Sequence, residues 1–141
     1  MTPDHVKLVQ NSFAEIGPIA DTAAALFYNR LFEIAPEVKT LFRGDMIEQG
    51  RKLMKTLTIV VNGLGNLDSI LPAASALAKR HVAYGVRPTH YTPVGEALLW
   101  ALERGLGSEW TPDLRSAWSA AYATISNCMI GEANGREAAA E

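Results

Sequence analysis

Apolar residues recur along this chain at spacings of three and four, the period of a helix with one buried stripe, and two-residue alternation of the strand kind is scarcely found. Pro and Gly stand between the periodic stretches and punctuate them. Thr2-Pro3 supplies a cap and a first-turn proline for a helix reaching about Ile16, where Gly17-Pro18 interrupts the pattern and begins a second helix. That second helix carries Ala24, Tyr28, Leu31, Phe32 and Ala35 on one stripe and ends before Pro36, with a short helical turn following through Phe42. A third long helix is predicted from about Met46 to Leu64. Its stripe is Leu53, Leu57, Val60, Val61 and Leu64, Gln49 lies one turn upstream on the same face, and Gly63 and Gly65 end it. From Ile70 to Tyr84 the stripe is Leu71, Ala74, Leu77, Ala78 and His81. Gly85 then offers the left-handed residue that helices favour just past their C-terminus, so His81 falls in a last turn. Two more helices, from about His90 to Leu106 and from Thr111-Pro112 to the region of Glu132, complete an all-α chain of seven to eight helices. Residues 1–135 read as one domain and 136–141 as a frayed tail.

Composition narrows the class. A chain of 141 residues suits one domain with a single core. With 48% apolar residues, 20% charged residues and a net charge of −2, it reads as an ordinary globular protein, with no nucleic-acid partner expected. The lone Cys128 cannot form an internal disulfide. MTPDHVK has no signal-peptide pattern, and no run of about 18 apolar residues follows, so a cytoplasmic protein without a membrane partner is expected. There is no phosphate-binding Gly loop, no paired-cysteine metal motif and no nucleophile-histidine arrangement.

The polar residues on the apolar stripes carry what chemistry there is. His81 shares a face with Leu77 and Ala78, Gln49 with Leu53, Tyr28 with Leu31 and Phe32, and Glu132 falls four after Cys128. Burying any of them costs free energy unless it is partnered. Taken singly, each is adequately described as a hydrogen-bonded core residue. Together they outline one pocket, with an imidazole on one wall and two donors on another. Such a pocket suits haem, because a neutral imidazole supplies a fifth ligand and leaves the sixth position open to a gas.

Five stretches make the pattern specific: LFYNRLFEIAPEVKTLF (26 to 42), QGRKLMKTL (49 to 57), GNLDSILPA (65 to 73), AKRHVAYGVRPTHYTPVGEALL (78 to 99) and SAWSAAY (116 to 122). In this order they resemble the globin family, in particular the globin domain of bacterial flavohaemoglobins and their single-domain bacterial relatives. The resemblance implies a globin fold enclosing one haem b, with His81 as the proximal iron ligand. It makes Phe42 the aromatic that wedges against the porphyrin face. Tyr28 and Gln49 match the distal pair that donates hydrogen bonds to the ligand, and Leu53 the apolar residue that closes that pocket. Ligated oxygen draws partial negative charge and gains from such donors, whereas carbon monoxide gains much less. Leu57, Tyr84, Val86 and Val94 fall along the cofactor by the same correspondence. Arg80, with Lys79, pairs with haem propionates or is simply solvated at a helix C-terminus, where positive charge is favourable anyway.

Tyr91 and Glu132 resemble the pair that, in flavohaemoglobins, hydrogen-bonds the outer nitrogen of the proximal imidazole and makes it more basic. Glu132 departs from the pattern. It stands ten residues after Tyr122, one short of the family spacing, or about 100° around a helix. The resemblance therefore implies reversible binding of oxygen, nitric oxide and carbon monoxide, with nitric oxide dioxygenation as the alternative. Dioxygenation would need a separate reductase, since no reductase domain falls within the 141 residues. Haem-based sensing expects an output module the sequence lacks, and a haem-free globin fits poorly with His81, Phe42, Tyr28 and Gln49 all in place.

Overall fold

Six α-helices and four 3-10 turns account for the fold in a computed structural model that describes residues 2–42, 44–83 and 85–131 in full and 132–140 as helix backbone. The helices are α1 (Pro3–Ile16), α2 (Ala20–Ile34), α3 (Met46–Asn62), α4 (Leu67–Ala83), α5 (Tyr91–Leu106) and α6 (Pro112–Ala140). The 3-10 turns are Gly17–Ile19, Pro36–Leu41, Pro88–His90 and Gly107–Glu109. Counting the short turn through Phe42, here the 3-10 turn Pro36–Leu41, as a helix is what lifts the sequence expectation above six. No strand is present among the described residues, and no helix there is long and apolar enough to cross a membrane.

The first helix begins on a reciprocal cap. The Thr2 hydroxyl accepts from the His5 N–H at 3.2 Å, the His5 ring accepts from the Thr2 N–H at 3.5 Å, and Pro3 occupies the first turn, where no N–H is needed. One face of α1 buries Val9, Phe13 and Ile16. Ser12, on the same face, is satisfied twice: its hydroxyl donates to the Leu8 carbonyl at 2.7 Å and accepts from Trp118 Nε1–H at 2.9 Å. Through that bond and the tilted Phe13–Trp118 ring pair, α1 is fastened to α6.

Helix α2 is the hub. It packs against α5 and α3, while α4 rests on α6. Its predicted stripe is buried at Ala24, Tyr28, Leu31 and Ala35, with Phe32 half-buried. The predicted stripe of α4 is corrected at one position. Leu71 is 42% exposed, and Ile70 takes its place beside Ala74 and Ala78: both lie about one turn before Ala74, and it is Ile70 that packs against Gly63 at the end of α3. Ile70 Cγ2 fills the space beside Gly63, which ends α3 and whose N–H donates to the carbonyls of its last turn.

Candidate functional site

Tyr28 is held by aromatic contacts on several sides. Its ring meets Phe27 edge-on at 4.9 Å, Phe42 edge-on at 5.3 Å and Phe32 at 6.0 Å, and Phe32 and Phe42 meet each other at 5.6 Å. Edge-to-face pairs of this kind contribute about 0.5–1.5 kcal/mol each beyond area burial. Phe42 reaches the cluster because the 3-10 turn Pro36–Leu41 stops there: its backbone is extended and its N–H donates to the Lys39 carbonyl at 3.1 Å. Burial raises the pKa of the Tyr28 hydroxyl, opposed by a hydrogen bond from the Gln49 side chain, so the phenol stays protonated and able to donate.

Gln49 stands in the first turn of α3. Asp45 caps that helix by accepting from the Ile47 N–H at 2.8 Å, and the Gln49 N–H donates to the Asp45 carbonyl at 3.0 Å. What brings Gln49 to Tyr28 is the next residue. A Cβ on Gly50 would stand 2.9 Å from Ala24 Cβ, so α3 lies against α2 with only hydrogen at the crossing. One turn on from Gln49, Leu53 and then Leu57 are half-buried against the core. Both also line an apolar pocket with Phe13, Ala24, Phe27 and Leu98.

The end of α4 is locked as its sequence foretells. Gly85 has φ +94°, its N–H donates to the Val82 carbonyl at 3.0 Å, and the Val86 N–H donates to the His81 carbonyl at 2.9 Å, which together form a Schellman closure. The His81 ring lies 2.8 Å, through Nδ1, from the Leu77 carbonyl. A carbonyl can only accept, so Nδ1 carries the proton and Nε2 presents its lone pair. Burial lowers the His81 pKa, the Leu77 bond opposes that, and the nearby Arg80 charge lowers it further, so the ring is neutral at neutral pH. Nε2 has no partner among the described residues. A neutral imidazole with a free Nε2 is the donor that a haem iron takes. The half-buried apolar side chains of Phe42, Leu53, Leu57 and Val94, unlike the sealed core beneath them, leave surface for a flat apolar group to cover. The residues present therefore fit haem.

Tyr91 opens α5 and is half-buried, which raises its pKa. Its carbonyl accepts a hydrogen bond from the Tyr122 hydroxyl at 2.5 Å. The Tyr122 ring lies flush on α5, because a Cβ on Gly95 would come within 2.6 Å of it, and burial with the neighbouring Tyr91 keeps its own hydroxyl protonated far above the usual range. No bond joins Tyr91 to His81 among the described residues, where the Leu77 carbonyl occupies Nδ1 instead. The side chain of Glu132, and Tyr84, lie outside the described residues. Val86 is half-buried, and Lys79 and Arg80 are exposed. Two contributors had no signal in the hydropathy pattern: Gly50 and Gly95, whose importance lies in what they face across the fold.

Comparison with known proteins gives the family and the fold. The globin family model matches residues 25–129. The chain is 29% identical over 131 residues to the flavohemoprotein of Bacillus subtilis and 30% identical over 129 to that of Rhodopirellula baltica, in each case over 89% of this chain. It spans about a third of the length of those relatives, 32% in both. A neuroglobin from Tetraodon nigroviridis is 29% identical over 84% of both chains. Among solved structures, an engineered carbene transferase built on a candidate nitric oxide dioxygenase from Rhodothermus marinus superposes with TM-score 0.89 at 26% identity, over 100% of this chain and 99% of that one. A bacterial globin from Campylobacter jejuni superposes with TM-score 0.84 over 96% of this chain and 99% of its own. A helical chain that carries a half-buried histidine in the last turn of α4, buries Tyr28 in α2 and matches the family model across residues 25–129 is a member of the globin family.

Proposed function

We propose that this globin holds haem b through Nε2 of His81 and reversibly binds a diatomic gas, oxygen first, with nitric oxide and carbon monoxide as further ligands. The observation that carries this reading is the buried Tyr28 hydroxyl, kept protonated beside Gln49 and locked in place by Phe27, Phe32 and Phe42. Haem, when bound, supplies an iron with one open coordination position. The remaining work is done by this chain. The Leu77 carbonyl fixes the His81 tautomer, Phe42 and Leu53 cover apolar surface and keep water out, and Tyr28 and Gln49 donate to a ligand that carries negative charge. Each charge-assisted bond in such a dry site contributes about 1.5–3 kcal/mol. Flash photolysis and stopped-flow on the haem-reconstituted ferrous chain test this reading. Slow oxygen release with a reversible spectrum supports it. Release as fast as from a pocket without donors, or immediate oxidation on contact with oxygen, contradicts it.

The flavohemoprotein relatives and the Rhodothermus marinus neighbour favour a second reading, in which the oxygenated protein converts nitric oxide to nitrate. A separate reductase would then return the iron to the ferrous state, in a cytoplasmic setting where both can meet. Nitric oxide consumption through many turnovers with an added reductase supports it, whereas a single turnover per haem leaves gas binding as the function.

A further inference from the structure

The charge of this chain is sharply divided. Residues 39 to 87 hold eight of the thirteen Lys and Arg but three of the fifteen Asp and Glu, a balance of +5, and the rest of the chain carries −7. That stretch is the one containing Phe42, α3 and the end of α4, the elements that carry Gln49, Leu53, Leu57 and His81. The cations are on its surface. Arg51, Lys52 and Lys55 on α3 are exposed, as are Lys79, Arg80 and Arg87 at the end of α4, and Lys39 before Phe42. Lys52 is three residues from Gln49, and Arg80 is near enough to His81 for its charge to depress the ring's pKa. Of these seven cations Arg51 is ion-paired, loosely, to Asp21 at 3.9 Å, and among the described residues Lys52, Lys55, Lys79, Arg80 and Arg87 have no acidic partner. The three acids are not placed to cancel them: Asp45 is occupied in capping α3, Glu48 sits in its first turn and Asp68 opens α4 at the end remote from His81.

Five exposed and largely unpaired cations on α3 and α4, with Arg87 just beyond α4, border the site of the haem reading and, in a chain of net charge −2, make a local positive field on an overall negative molecule. Two haem propionates could neutralise at most two of them. We propose that this face is the docking surface for an acidic electron-donor flavoprotein. With haem held by His81, the donor's reduced flavin would give up one electron and the ferric group would take it up. This rests on the haem reading above. Positive groups around the entry steer an acidic partner and raise its association rate, and salt screens the effect, since the screening length falls from about 30 Å at 0.01 M to about 3 Å at 1 M. The negative remainder of the surface disfavours every other orientation.

The test is reduction of the full haem-reconstituted chain by a reduced flavodoxin, an acidic flavoprotein, followed by stopped-flow between 10 and 500 mM salt. The small probes ferrous EDTA, an anion, and hexaammineruthenium(II), a cation, run in parallel. The expected result is at least a tenfold fall in the flavodoxin rate with added salt and a fall with ferrous EDTA. The ruthenium probe should speed up. Lys52→Glu with Lys55→Glu should lower the low-salt flavodoxin rate at least threefold, with the Soret band and the oxygen release rate unchanged. Rates that rise with salt for both anionic donors, as a net charge of −2 dictates, overturn the proposal. So does tight binding to phosphatidylglycerol vesicles with a flavodoxin rate indifferent to salt, which would make the face a membrane contact. Absence of a Soret band overturns the haem reading and this inference with it, whereas a normal Soret band with salt-independent reduction overturns the inference alone.

Discussion

Replacing Tyr28 by Phe removes one oxygen atom and nothing else from the packing. The ring contacts to Phe27, Phe32 and Phe42 are carbon contacts at 4.9 to 6.0 Å between centroids, and phenylalanine keeps all of them. What is lost is a donor in a site where the residue is 6% exposed and water cannot stand in for it. A hydrogen bond to a ligand bearing partial negative charge contributes about 1.5–3 kcal/mol there, and at 1.4 kcal/mol per tenfold this predicts oxygen release faster by roughly 10- to 150-fold. The change should appear in the dissociation rate, because the bond exists only after the ligand has arrived. Stopped-flow displacement of oxygen by carbon monoxide measures it. Carbon monoxide release from the same variant should change less than threefold, since that ligand carries little charge, and the thermal midpoint should stay within a few degrees. An oxygen release rate within threefold of the parent would refute the distal role of Tyr28. An equal acceleration for both gases would mean that the hydroxyl shapes the pocket rather than recognises charge.

Other expected outcomes follow from the same contacts. Gly95→Ala forces a carbon to within 2.6 Å of the Tyr122 ring, so it should cost about 1–3 kcal/mol in urea unfolding, and much of that cost should vanish in a Tyr122→Ala background; equal costs in both would reject the clash. Ser12→Ala strands the buried Trp118 N–H and should destabilise by about 1–3 kcal/mol, which chemical denaturation reads directly, with no loss expected in the Soret band. Tyr28, Tyr91 and Tyr122 all have raised pKa values in the folded chain. Above about pH 10 the unfolded chain loses phenol protons that the folded chain retains, so stability is full below that pH and falls as pH rises beyond it. Thermal midpoints from pH 8 to 12 should show this decline, shallower in Tyr122→Phe, and an identical profile in the variant would exclude the group.

The parts of the site that could be read from the chain are those whose cause is local. Gly85 after a helical run announces a left-handed closure, and the structure supplies it at φ +94°, which sets His81 in the last turn before it. The stripe of α2 follows from spacing alone and puts Tyr28 in the core. Leu71 misleads because it and Ile70 both lie about one turn before Ala74 and both are apolar, so hydropathy cannot choose between them, whereas the contact of Ile70 with Gly63 across the fold does. Gly50 and Gly95 read locally as residues that weaken a helix. Their reason is Ala24 in one case and Tyr122 in the other, far along the chain, and only the crossing of helices reveals it. The Leu77 carbonyl on His81 Nδ1 lies one turn upstream in the same helix, yet a ring rotamer decides it, and spacing alone could equally have turned that nitrogen toward Tyr91.

The most direct measurement is a haem titration of the purified chain beside His81→Gly. The parent should take up one equivalent and develop a Soret band with a five-coordinate ferrous spectrum. The variant should lose that spectrum and regain it when free imidazole is added, because the space left by the ring accepts the same ligand. A variant that binds haem with an unchanged ferrous spectrum in the absence of imidazole would contradict the assignment of His81 as the iron ligand, and with it the account of this site.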